Sequence, residues 1–118
     1  MPKITVEGQA KLMAARVDAN AVGFDPATII TIFIAVLPLL LKCFQKEDQQ
    51  TPEQVNAAIK SQHEKNPARL LRRTSIAVRR ESPKKLTRAQ AETMAQAIID
   101  EAVEATPQRT AALCYAVQ

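Results

Sequence analysis

Eight cationic side chains crowd one short stretch of the sequence: Arg69, Arg72, Arg73, Arg79, Arg80, Lys84, Lys85 and Arg88. Placed on a helix at about 100° per residue, the five arginines up to Arg80 fall on one side. Leu70, Leu71, Thr74, Ala77 and Val78 fall on the other, within an arc of about 120°. Only Ile76 stands out of place among the arginines. Such a face suits an array of phosphates, either nucleic acid or anionic lipid headgroups. No Phe, Tyr or Trp lies between Phe44 and Tyr115. Bases therefore have no aromatic ring to stack on here, and contact with a nucleic acid would be to its backbone, insensitive to sequence and strongly salt-dependent. The plainer readings are a solvated face, or pairing with the acidic C-terminal part of the same or a neighbouring copy. Arg72-Arg73-Thr74-Ser75 also has the layout of a basophilic kinase site, a string that arises often by chance.

Catalytic chemistry has little to work with. His63 is the one histidine, and Glu64 and Lys65 beside it mark a surface position. Asp100, Glu101 and Glu104 form a small carboxylate group with no histidine or second cluster near in sequence. Gly-rich phosphate loops, HExxH pairs, nucleophile elbows and CxxC pairs are all lacking. Cys43 and Cys114 lie far apart without metal-ligand spacing, which reads as two buried thiols in a reducing compartment. Cys43, at the polar end of an apolar run, is also a candidate acylation position. The expectation is a non-enzymatic protein without a cofactor or a metal.

These residues need helices to position them. Two glycines, one tyrosine, three phenylalanines and no tryptophan in 118 residues argue against a sandwich or barrel. Ala, Gln, Glu, Lys and Arg are plentiful, and the fold class is all-α. Proline follows a good N-cap residue at Asp25-Pro26, Thr51-Pro52, Asn66-Pro67, Ser82-Pro83 and Thr106-Pro107. Four of these pairs predict helix starts. Ser82-Pro83 instead ends a helix, because Thr87 with Gln90 makes a capping box just after it, as Thr51 with Gln54 does earlier.

The first helix is expected from Thr5 to Ala21, stopping near Gly23, with Val6, Ala10, Met13, Val17 and Ala21 as its narrow apolar stripe. Leu12 lies off that stripe, and Arg16 sits between Leu12 and the stripe. The helix opened by Thr51 turns Val55, Ala58, Ile59 and Gln62 to one side. The helix after Thr87 buries Ala91, Met94, Ala95, Ile98, Ile99 and Ala102, with Asp100, Glu101 and Glu104 toward its other side, and Leu86 stapled onto Ala91. A short last helix carries Leu113, Cys114, Tyr115 and Val117.

Pro26 to Leu41 form a run of sixteen residues without a charge, the densest apolar stretch in the chain. The architecture expected is short helices around one long apolar helix, about 26–44, in an oligomeric assembly. The segments are 1–24, an N-terminal amphipathic helix; 25–44, the apolar helix; and 45–118, with a basic middle (65–90) and an acidic end. As a helix the run is about 24 Å long, against roughly 30 Å of hydrocarbon in a bilayer. Extension to Phe44, with Lys42 reaching the headgroups, brings it near a transmembrane length. Pro38 would leave the carbonyl of Ile34 without its helical partner. Thr28, Thr31, Ala35, Pro38 and Lys42 recur at spacings of three and four, a seam where another helix packs or where a ring of copies faces a pore. Burial among other helices in a protein core is the competing reading. If the run spans, the basic residues beyond it put the C-terminal side inward.

The first 25 residues carry mixed charge and no signal-peptide pattern, so synthesis in the cytoplasm is expected, followed by membrane association or entry into a large assembly. The net charge of +4 hides nine basic residues against one acidic between positions 65 and 90, and one basic against four acidic from 91 onward. Three functions remain open. One is a structural subunit that assembles with copies of itself or other subunits, burying its apolar helix in a membrane or a shared core. The others are a module binding nucleic-acid backbone through the arginines, and a small single-span membrane protein with a basic cytoplasmic tail. In layout the first resembles small phage-encoded proteins that form virion or membrane-channel parts. The self-assembling subunit is the reading the sequence favours, with complementary charges docking one copy on the next.

Overall fold

The computed structural model describes residues 5–44 and 51–116. The helices are α1 (Val6–Ala14), α2 (Ala19–Val22), α3 (Pro26–Phe44), α4 (Pro52–Lys65), α5 (Pro67–Glu81), α6 (Arg88–Glu104) and α7 (Pro107–Ala116). No strand occurs among the described residues, so the fold is all-α. The expected contrast of one long helix among short ones is absent. α3 has 19 residues, α6 has 17 and α5 has 15.

Local chemistry accounts for most boundaries. The Thr51 and Thr87 hydroxyls accept from the Gln54 and Gln90 amides, while each glutamine side chain takes the threonine's own N–H. Two of the donors left over at each helix start are thereby satisfied. The Asp25 carbonyl accepts from the Ile29 amide to open α3, and the Asp25 carboxylate accepts the Thr28 hydroxyl. Beyond α5, the Ser82 N–H closes the last turn on the Val78 carbonyl, and the connector brings Leu86 under cover, 5% exposed.

The first helix departs from expectation. It ends at Ala14, and the chain turns through residues 15–17 before α2 begins. Tightened bonds from the Arg16 and Val17 amides to the Met13 and Ala14 carbonyls make that turn. The stop at Gly23 is as expected, because its φ of +74° lies in the region that L side chains avoid.

One apolar core draws residues from Ala10 to Cys114. α3 lies principally against α1 and α5. Ile29, Ile32, Phe33, Val36, Leu37, Leu40 and Leu41 all point inward. Burying each of the large ones contributes about 1.5–3 kcal/mol; α5 brings Leu70 and Val78 to the same core, and α6 adds Met94, Ile98 and Ile99 to it. Among the described residues no helix is both long and apolar enough to cross a membrane. Of the two readings left open for this run, burial among helices describes what is seen: the other helices of the chain cover the greasiest half of α3.

Buried polar groups tie the remaining helices together. Asn56 on α4 donates through Nδ2 to the Ala105 carbonyl at 3.1 Å and to the Thr110 hydroxyl at 2.8 Å. Gln90 donates to the Val22 carbonyl at 3.1 Å, fastening the start of α6 to α2.

Candidate functional site

Three places gather the polar and cationic residues expected to act: the outer face of α5, the outer side of α3, and a carboxylate cluster where α6 meets the turn after α1.

α5 folds with Leu70, Thr74, Ser75 and Val78 buried, which leaves its arginines no choice but to face outward. Arg69, Arg72, Arg73, Arg79, Arg80, Lys84, Lys85 and Arg88 are all exposed. Two of the eight are engaged. The Arg88 guanidinium lies 3.1 Å from Glu92, and the Lys84 ammonium sits 5.6 Å from the centre of the Phe24 ring. The other six have no ion pair among the described residues. They do not form a uniform array. On the helical wheel Arg72 and Arg79 make one row and Arg69, Arg73 and Arg80 another, with Ile76 between the rows. Ile76 is half exposed, at 51%.

The row of Arg72 and Arg79 overlooks a cleft between α5 and α6, about 430 Å³ in volume. α5 lines it with Ala68, Leu71, Arg72, Ser75, Ile76 and Arg79, and α6 with Arg88, Ala91 and Glu92. Thr74 and Ser75 donate their hydroxyls to the Leu70 and Leu71 carbonyls at 2.8 and 2.7 Å. Both are buried, so the kinase-like string they belong to is closed to a modifying enzyme in this fold.

The outer side of α3 is where the seam lies. Thr31 and Lys42 are exposed, and Thr28, Ala35 and Pro38 are half-buried. Ile34 and Leu39 flank them at 37% and 40% exposure. At about 100° per residue the five seam positions sit in the middle of the arc left least covered by the described residues. Pro38 faces that open side, where water can serve the Ile34 carbonyl. The Asp25 carboxyl, at the start of this side, is held below its usual value by the Thr28 hydroxyl, with backbone N–H groups and Lys84 adding to the effect.

The carboxylates of α6 do not stand opposite the arginine face. Glu101 is buried, 8% exposed, contrary to the outward position its spacing suggested. It accepts from Gln9 Nε2 at 2.8 Å and Arg16 Nε at 2.8 Å, with Arg109 Nη1 at 3.8 Å. Glu104 takes a second Arg16 nitrogen, and the two carboxylates hold the Arg16 guanidinium above its ordinary value, Glu104 first and Glu101 second. The reason lies in the wheel of α6, where Glu101 is only about 20° from Met94, at the edge of the buried stripe. The one signal in the sequence is the position of Arg16 beside the stripe of the first helix, a cation that needs an acceptor if that helix is covered. Asp100 is half-buried and accepts from Gln96 at 2.8 Å.

His63 is half-buried on α4. Cys114 is buried, 2% exposed, whereas the Cys43 side chain lies outside the described residues. Among the described residues no three His, Cys, Asp or Glu side chains group closely enough to hold a metal ion. Compared with known proteins, the chain matches no family model, no curated protein and no solved structure.

Proposed function

We propose that the protein is a non-enzymatic helical structural subunit that assembles with copies of itself through the open side of α3. The observation that carries this reading is that side's composition. Ile34 and Leu39 stand half exposed around the smaller Thr31, Ala35 and Pro38, so a second helix can approach closely and bury apolar surface. Its ends also favour a like partner, with Asp25 at one and Lys42 at the other. Both are exposed. A two-fold, antiparallel pairing centred near residues 33 and 34 brings each Lys42 beside the other copy's Asp25, as a self-complementary patch requires.

The reading is narrower than the one the sequence suggested. Most of α3 is satisfied within its own chain, so assembly uses one side of the helix and needs no bilayer. Docking through the acidic residues of α6 has little left to use, since Glu101 and Glu104 already hold Arg16. The layout resemblance to small phage virion parts fits a subunit of this kind.

Light scattering across a concentration series tests the proposal. The expected result is a mass that rises to a dimer or a larger closed assembly, and that falls to the monomer in Ala35→Glu. A mass that stays monomeric at every concentration overturns it.

A further inference from the structure

The cleft between α5 and α6 has a shape that the self-assembly reading does not use. Arg72 and Arg79 stand on one wall, seven residues and about 10 Å apart along the helix, and Arg88 stands on the other. We infer that this cleft binds the phosphodiester backbone of a nucleic-acid strand, independently of base sequence.

Three features favour that ligand. First, the cations line both walls of a concavity of about 430 Å³, room for a phosphate and its sugar. A linear polyanion enters such a cleft along the helix, whereas a lipid surface presents a plane that meets only the rim. Second, Arg72 and Arg79 have no carboxylate partner among the described residues, so a phosphate need not displace one there. Arg69, Arg73 and Arg80, beyond Ile76, are placed to take the phosphates that follow. Third, the absence of Phe, Tyr and Trp from 45 to 114 removes the usual stacking rings and leaves the backbone as the recognised part. Glu92 works against binding: it pairs with Arg88 at 3.1 Å inside the cleft, and an incoming phosphate must compete with it.

The test uses the full chain and a labelled oligothymidylate, followed by fluorescence anisotropy over a salt series. Arg72→Gln/Arg79→Gln/Arg88→Gln removes three cleft cations, and Arg69→Gln/Arg73→Gln/Arg80→Gln removes three from the outer row. The net charge change is the same in both. The cleft variant is expected to lose roughly tenfold or more in affinity at low salt. Its log–log salt slope should flatten by about 2, the value for three lost single-strand phosphate contacts. The outer-row variant should lose clearly less. Glu92→Gln should bind several-fold more tightly than the parent protein, and an oligomer of mixed sequence should bind like oligothymidylate. Circular dichroism checks that all variants keep their helices, as exposed side chains should allow. Equal losses in the two triple variants overturn the inference by making the effect one of diffuse charge. It also fails if the parent protein does not bind the oligonucleotide at low salt. Phosphatidylserine vesicles bound more tightly than the oligonucleotide, through the same arginines, would assign the face to lipid and likewise overturn it.

Discussion

Arg16 and the arginines of α5 carry the same guanidinium and are all exposed, yet one is held by two carboxylates while the others have none among the described residues. Arg16 meets Glu101 and Glu104, and through Glu101 it joins Gln9 and Arg109. Its neighbours in that network come from α1, α6 and α7, so its charge is spent on holding the two ends of the chain together. Arg69, Arg72, Arg73, Arg79 and Arg80 have no carboxylate among the described residues. No carboxylate there engages their charge, which leaves it available to something else. Number of cations thus says little about use. The position of the carboxylates decides it, and α6 turns the buried Glu101 and the exposed Glu104 toward Arg16.

Removing the centre of the clamp should produce the largest effect. Glu101→Ala leaves the buried Gln9 amide without its acceptor and takes one of two carboxylates from the exposed Arg16, at a cost of about 2–3 kcal/mol. Thermal unfolding should show this as a fall in Tm of roughly 10 °C. Arg16→Met should cost less, because Glu101 keeps Gln9 and Arg109 and Glu104 returns to water. If the Arg16 variant unfolds earlier than the Glu101 variant, the order of importance within the clamp is reversed.

A smaller effect is expected at the start of α3 and depends on pH. The Asp25 carboxyl is lowered in the folded state, below an unfolded value of about 3.9. Its contribution is fully present above that unfolded value and is lost as pH falls through the folded one. Asp25→Asn should therefore lower Tm at neutral pH, and the gap from the parent protein should close in acid below about pH 4. A gap that stays constant would mean that the side chain acts as a neutral cap.

The smallest change in stability belongs to the exposed arginines. Arg72→Gln/Arg73→Gln/Arg79→Gln/Arg80→Gln should alter unfolding free energy by about 0.5 kcal/mol or less per site, and upward where like-charge repulsion eases. A large loss would show that these arginines belong to the fold after all and would erase the contrast with Arg16.

Much of the fold could be read from local chemistry. Thr51 with Gln54 and Thr87 with Gln90 announce their helices because a capping box is satisfied within four residues of chain. Asp25-Pro26 marks α3 for the same reason, and the outward arginines of α5 follow from its period alone. What the sequence left open depends on partners far away along the chain. Glu101 looked solvent-facing because its spacing places it just outside the buried stripe, and Gln9 and Arg16, 92 and 85 residues earlier, help make burial tolerable together with Arg109. The turn at residues 15–17 goes with that contact. α3 looked like a membrane segment because hydrophobicity does not say whether lipid or protein covers it. The seam of α3 was legible as a stripe, and the structure adds that this stripe is the side of α3 least covered by the described residues.

The clamp around Arg16 also constrains the order in which the protein can be made. A ribosome delivers α1 and α3 long before Glu101 and Glu104, so early pairing of those helices leaves Arg16 and Gln9 waiting for acceptors. Closing the clamp joins residues separated by most of the chain, a slow kind of contact because the intervening loop must first be ordered. A nascent chain halted before residue 101 should consequently keep its first helices open to proteases, and full protection should arrive only with the last turn of α6.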